Sequence, residues 1–327
     1  MHDGWALPAA LRGATFTAAD AKALGVAERR LRSDRATQLH HGVWADAGTE
    51  LTVAQRASAA LSATSPDAWI SHAAAAHLLG LRVPPRLRAL DRIDVTVPTP
   101  MHAPRGRGVR GRQRSLTPSA IAMIHGIRAS SPAQAFVDGA DYLAFADLVA
   151  LGDGIVDLRR PLASAPELRR AIGEHRGQRG HRRLLAASHA VRPTSRSWAE
   201  TVTRLELEAM GAPPAWWNVP VHLPGGEELA PDAAFWQAGV LLEVEGDQHR
   251  TDRAQWLTDL DRYNLVQRYD LEPHRIVVTS PAETRARLRP IVDRILRRWD
   301  PTRAAAPIAP WYSHPPEFPD GWLLSAP

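Results

Sequence analysis

The stretch Pro231-Asp-Ala-Ala-Phe-Trp-Gln-Ala-Gly-Val-Leu-Leu-Glu-Val-Glu-Gly-Asp-Gln-His249 restricts the fold of this chain more than any other segment. Gly239 reads as a turn between two strands, which sets Asp232 and Glu243 on adjoining antiparallel elements. Glu243 and Glu245 are two apart in a strand and therefore share a face. Val240, Leu241, Leu242 and Val244 make that strand apolar on both sides, the pattern of a central strand. Two acids on one face of a central strand are costly unless something neutralises them.

The elements around this segment predict an α/β sandwich with a mixed sheet flanked by helices. In order they are helix 197–210, strands 216–222, 231–236 and 239–244, helix 251–268, strand 274–278 and helix 281–299. With 327 residues, 44% of them hydrophobic, the chain is long enough for two or three domains with real cores. Five segments are expected: a helix-turn-helix with a wing over 1–65, an α+β extension over 66–155 and a helical connector over 156–195. The α/β domain covers 196–299, and a Pro-rich tail, anchored by Trp311 and Trp322, covers 300–327.

In the first segment, Thr17-Ala-Ala-Asp20 has the form of a capping box opening a helix that Gly25 stops. Ala27 to Ser33 predicts a second helix, and Gln38 to Trp44 alternates like a strand pair turning at Gly42. A helix, a tight turn, a basic helix and a β-wing would put Arg29, Arg30, Arg32 and Arg35 against DNA; the alternative is that these arginines solvate a helix face. A second basic run, with Arg105, Arg107, Arg110, Arg112 and Arg114 and no acid, reads as a loop or hairpin that tracks phosphates or as a solvated turn. Ser71 predicts a helix cap, Ser131-Pro132 another helix start, and His72 and His77 are wrongly spaced for a metal pair.

Composition excludes several chemistries. Cysteine is absent, which removes disulfides, zinc ribbons and thiol nucleophiles. Lys22 is the single lysine and sits in Ala-Lys-Ala, so there is no Walker A loop. The formal charge of +5 and pI near 10.3 favour an anionic partner. Apolar runs are far shorter than the roughly 20 residues that span a bilayer, and the N-terminus has no signal-peptide pattern, so no membrane partner and a cytoplasmic location are expected.

A divalent metal would resolve the acid cluster, because Mg²⁺ favours one or two carboxylates plus water and phosphate oxygens. Asp232 and Glu243 are the candidate ligands, for Mg²⁺ or Mn²⁺. Glu245 would orient or deprotonate water, and His249 would act as base or protonate the leaving oxygen. The competing account is three edge acids paired with Arg250, Arg253 or Arg262.

Pro231-Asp232, Glu243-Val-Glu245-Gly246 and His249-Arg-Thr-Asp252 together resemble the PD-(D/E)XK nuclease superfamily. The match is closest to the very-short-patch-repair-like branch, which Asp259 and Arg262 also fit. The resemblance implies a restriction-endonuclease-like fold, metal-dependent DNA endonuclease activity in defence or repair, and an acid on the first helix, matched by Glu200 in Ser197-Trp-Ala-Glu200. That glutamate also fits a capping box. Glu245 stands where the superfamily has lysine, and Val277-Val278 where the branch often has arginine, with Arg275 displaced. Residues 1–140, through Thr17–Trp44, Ser71–Leu81 and Gly126–Asp138, resemble the winged-helix domain of AbiEi-type antitoxins, which implies DNA as partner and a toxin-like or other protein partner. The alternatives are a DNA-binding regulator or antitoxin with an inactive nuclease fold, and an interaction scaffold presenting Trp216, Trp217, Trp236 and Trp256.

Overall fold

The computed structural model describes residues 6–33, 35–115, 117–246 and 268–325. Helices and mixed sheets build an α/β protein with two compact units, Met1–Tyr142 with Arg170–His181 and Leu143–Arg169 with Arg182–Pro327. The segment 156–195 is thus divided between the units rather than forming a connector of its own. No helix among the described residues is long and apolar enough to cross a membrane.

In the first unit, β1 (Thr15–Thr17) leads into α1 (Ala18–Ala23), where Thr17 and Asp20 form the reciprocal capping box. Gly25, at φ 77°, ends that turn. The second helix, α2 (Glu28–Leu31), is one turn long, shorter than the predicted 27–33, because Ala27 offers no side-chain cap. Fully buried Leu31 pins it to a core of Leu11, Phe16, Val26 and Trp44. Strands β2 (Ala36–His40) and β3 (Val43–Asp46) form the predicted hairpin, turning at Gly42 (φ 72°), and β3 also pairs with β1.

Helix α3 (Val53–Ser62) is capped by Thr52 and Gln55. A five-stranded mixed sheet follows, built from β4 (Trp69–Ile70), β5 (Ile93–Pro98), β6 (Val109–Arg114), β7 (Ile121–Ile124) and β8 (Ile127–Ser130) in the order β6-β5-β4-β8-β7. Helices α4 (His72–Leu78) and α5 (Pro132–Gly139) belong to the same unit. Ser71 precedes α4 but makes no cap bond. Its Oγ lies 2.7 Å from Thr96 Oγ1 and 2.9 Å from His72 Nδ1.

The second unit contains α6 (Phe145–Ile155), α7 (Ala165–Glu174, shared with the first unit), α8 (His181–Ala190) and α9 (Trp198–Ala209). Its main sheet joins β9 (Trp216–Trp217), β12 (Ala233–Phe235), β13 (Val240–Gly246) and β14 (Glu272–Val278) in the order β14-β13-β12-β9. The strand predicted over 216–222 is two: β9, and β10 (Val221–His222), which pairs with β11 (Glu228–Leu229) in a separate small sheet. β12 is antiparallel to β9 and β13, whereas β13 and β14 are parallel. Ala233, Phe235, Val240, Leu242 and Val244 pack with α9 and with α10 (Pro281–Arg298). Ala234, Trp236 and Leu241 pack on the other face with Val221, Leu223 and Leu271. The Pro-rich tail is tied down: Ala309 N donates to Pro220 O at 2.9 Å and His222 N to Pro307 O at 2.7 Å. It ends in α11 (Trp322–Ser325), a short helix where none was expected.

Candidate functional site

The side-chain alternation of β12 and β13 assigns the acids to a face. Leu242 and Val244 enter one core and Leu241 the opposite one, so Glu243 and Glu245 share the face of Leu241. Continuing the Ala233–Leu242 register by one residue sets Asp232 across from Glu243. Asp232 Oδ2 accepts the Val244 amide at 2.7 Å, which ties that carboxylate to the neighbouring strand. Asp232 O accepts from Asn218 N at 2.9 Å.

Glu200 approaches Asp232 from α9, the helix on the Leu242 and Val244 face, opposite the face of Glu243 and Glu245. Ser197 Oγ accepts the Glu200 amide at 3.0 Å, the first half of a capping box. The second half is altered: Glu200 Oε2 accepts from Arg196 N at 2.8 Å, one residue before the cap, and from Asn218 Nδ2 at 2.5 Å. The residue is 5% exposed. Burial, and then the negative charge of Asp232, hold its carboxyl above the usual carboxylate range, against the pull of its three hydrogen bonds. Capping and acid pairing therefore coexist in one side chain.

This shift carries a pH signature. A carboxyl whose folded pKa is raised favours the fold most below its ordinary value of 4.5, and that contribution is lost as pH rises through the folded value. Glu200→Gln keeps an acceptor for Arg196 N and Asn218 without the charge. In EDTA, its melting temperature is expected to match wild type near pH 4.5 and to exceed it increasingly toward neutrality; a constant gap across that range would contradict the assignment.

Glu245 is held differently. Its Oε1 pairs with Arg275 Nε at 3.1 Å, across the parallel β13–β14 ladder in which Arg275 stands opposite Glu243. Among the described residues no three carboxylate or imidazole groups converge to hold a metal ion. His249, Asp252, Asp259, Arg262 and Trp256 lie outside the described residues, as do the alternative partners Arg250 and Arg253. Asp232 and Glu243 stand on adjoining strands and carry only oxygen donors, the ligand type a hard divalent cation takes.

The basic residues divide into two kinds. Arg29, Arg30, Arg32 and Arg35 are all exposed, and Arg32 pairs within its own helix with Glu28 at 3.3 Å. Arg105 and Arg107 are exposed in the loop before β6. Arg110, Arg112 and Arg114 are in β6, paired in parallel with β5, not in a hairpin. Arg112 Nε bonds Asp94 Oδ1 at 3.1 Å, Arg110 lies 3.9 Å from the same carboxylate, and Arg114 meets Asp138 at 2.5 Å and Asp141 at 3.6 Å. The sheet thus uses Arg112 and Arg114 to neutralise its own buried acids. A linear charge run hides this, because its partners lie far away in sequence.

Of the tryptophans expected to form a partner surface, Trp217 and Trp236 are buried, and Trp216 meets Trp236 edge-on at 6.0 Å. Sequence reasoning missed Asn218, which joins Glu200 to the β12 start. Its φ of 57°, a conformation asparagine tolerates better than most residues, is seen only in the folded chain. Arg275, noted in the sequence only as displaced from the last-strand arginine of the resembling branch, meets Glu245 because strand pairing brings the two together. No protein-family profile, no curated protein and no solved structure matches this chain.

Proposed function

We propose that the chain is a divalent-metal-dependent DNA endonuclease. Its hydrolytic centre would be Asp232 and Glu243 with Glu200 behind them, and residues 15–46 would form a winged helix that docks on duplex DNA. The observation that carries this reading is the buried Glu200 carboxyl joined through Asn218 to Asp232, at the start of β12. Carboxylates driven together in a partly desolvated place are a marker of functional sites. The order α9, β9, β12, β13, β14, α10 supports a PD-(D/E)XK-like scaffold.

Asp232 and Glu243 would hold the cation, and Asn218 fixes both Glu200 and the Asp232 backbone. When bound, Mg²⁺ supplies polarisation of the phosphodiester and a lowered pKa for coordinated water. Glu245, on the face of Glu243 and paired with Arg275, would orient or deprotonate that water. Exposed Arg29, Arg30, Arg32 and Arg35 would neutralise phosphates beside a wing made by β2 and β3.

The Glu245–Arg275 pair also favours a second reading, in which a guanidinium occupies the charge position of a cation and the fold is an inactive scaffold for a DNA-binding regulator. Nicking of supercoiled plasmid by the wild-type chain in Mg²⁺ or Mn²⁺, abolished by EDTA, is expected under the first reading. No nicking, together with salt-sensitive duplex binding, would establish the second. Under either reading Arg29→Ala/Arg32→Ala should weaken duplex binding in gel shifts and flatten its log–log salt dependence by about 1.8 for two lost phosphate contacts. Unchanged affinity would remove α2 as the docking element.

A further inference from the structure

Beside Asn218 the second unit opens a cleft of about 430 Å³, within the range of small-ligand sites. Its walls include Trp217, Trp311, Tyr312 and His314, with Arg159 and Arg196 among the lining residues. Asn218 is shared with the acid site, since its side chain also bonds Glu200 and Thr194 O.

The aromatic wall is held in place. Main-chain bonds of residues 307 and 309 to the β10 region secure the tail, and Tyr312 N closes a turn on Ala309 O at 2.9 Å. Trp311 is 64% exposed, yet its indole N–H is fixed on the Glu228 carboxylate at 3.1 Å. Tyr312 stands edge-on to both neighbours, with ring centroids 6.4 Å from Trp311 and 5.6 Å from His314. An exposed ring already oriented loses little freedom when a planar partner stacks on it.

Charge selects the partner. Arg159 and Arg196 are both exposed, and Arg196 acts electrostatically on the Tyr312 hydroxyl. The acid in the wall, Asp157, accepts Arg159 N at 2.9 Å and lies 3.7 Å from the Arg159 guanidinium, so these two charges offset each other and Arg196 gives the lining its net positive charge. A cationic mouth over aromatic faces suits a phosphate-linked base better than a neutral peptide. Bases within a duplex are already stacked and hidden, so only an unpaired nucleotide presents its face.

We propose that this cleft takes an unpaired nucleotide of single-stranded DNA, its base against Trp311 and Tyr312 and its phosphate at Arg196 and Arg159. The inference deepens the nuclease reading and rests on it for the direction of the strand toward Asp232. It makes single-stranded or locally opened DNA the substrate class.

The test is fluorescence anisotropy of a labelled oligothymidylate of about 12 nucleotides in EDTA. It uses the full chain in the Arg29→Ala/Arg32→Ala background, which lowers binding by the first unit. Trp311→Ala should weaken binding about tenfold, and Arg159→Ala/Arg196→Ala should flatten the log–log salt dependence by about 1.4. Trp311 is largely exposed, so its loss should leave the melting temperature unchanged. Oligonucleotide affinity indifferent to Trp311→Ala overturns the proposal, as does binding of a proline-rich peptide, but not the oligonucleotide, through Trp311. Trp311-dependent binding by a chain that never nicks plasmid upholds the cleft and removes the nuclease reading. Plasmid nicking with Trp311-independent oligonucleotide binding does the reverse.

Discussion

Asp232→Ala and Glu243→Ala are each expected to lower Mg²⁺-dependent plasmid nicking by about a thousandfold. Metal-assisted polarisation is worth several kcal/mol, and about 1.4 kcal/mol is a factor of ten in rate. Asp232 also has a structural duty, because it accepts the Val244 amide and so ties β12 to β13. Asp232→Asn separates the two roles. Its amide oxygen keeps the bond to Val244, and the negative charge is gone. This variant should melt within a degree or two of wild type and still lose the activity. Nicking at the wild-type rate by folded Asp232→Asn would falsify the hydrolytic assignment. Glu243 stands between this carboxylate and Arg275 in the ladder, so Arg275→Ala provides a complementary measurement. If the guanidinium substitutes for a cation, its removal should increase metal binding by calorimetry; if it only steadies Glu245, metal affinity should stay constant.

Asp153→Ala should destabilise the second unit by about 3–5 kcal/mol, the usual effect of removing one partner from a buried ion pair. For a unit of this size that is a fall in melting temperature on the order of 10 °C. Asp153 is fully buried on α6 and Arg204 is 2% exposed on α9. Their carboxylate–guanidinium distance is 3.2 Å, and Asp153 also accepts from Thr201 Oγ1 and Arg192 N, both at 2.7 Å. Truncation leaves the Arg192 amide without its acceptor and removes the buried carboxylate partner of Arg204, whose guanidinium keeps Glu208 at 3.2 Å and Ala190 O at 2.9 Å. The same pair positions the helix that carries Glu200, so the effect reaches the acid site. The double variant Asp153→Leu/Arg204→Met removes both charges and should recover part of the loss. Thermal unfolding followed by circular dichroism reads both; a loss below 1 kcal/mol for Asp153→Ala would show the pair to be incidental.

Local chemistry was legible in the residues themselves. The Thr17–Asp20 box, the Gly42 and Gly239 turns, the Ser131-Pro132 helix start and the apolar β13 all form where short-range rules place them. These features depend on neighbours a few positions away, so a linear reading contains the necessary information. The shared face of Glu243 and Glu245 was equally readable, since alternation is a property of the strand alone.

What failed to appear in the sequence was pairing over distance. Nothing near Arg112 and Arg114 announces Asp94 and Asp138 as their partners, and the basic run therefore looks more available than it is. The 216–222 segment reads as one strand, but Pro220 carries no amide hydrogen and its carbonyl accepts from Ala309, so the chain leaves the main sheet after Trp217.

The order of residues alone decided the local caps and turns, which acids share a face, and that neither thiol chemistry nor a lysine-bearing phosphate loop is available. Only the packed chain decided which charges are occupied: Glu245 on Arg275, Glu200 beside Asp232, and the tail's aromatic rings beside Asn218. The reason is physical. Backbone hydrogen bonding and side-chain periodicity are local, whereas the energy of a charge depends on its solvation and on neighbours that only folding brings within a few ångströms.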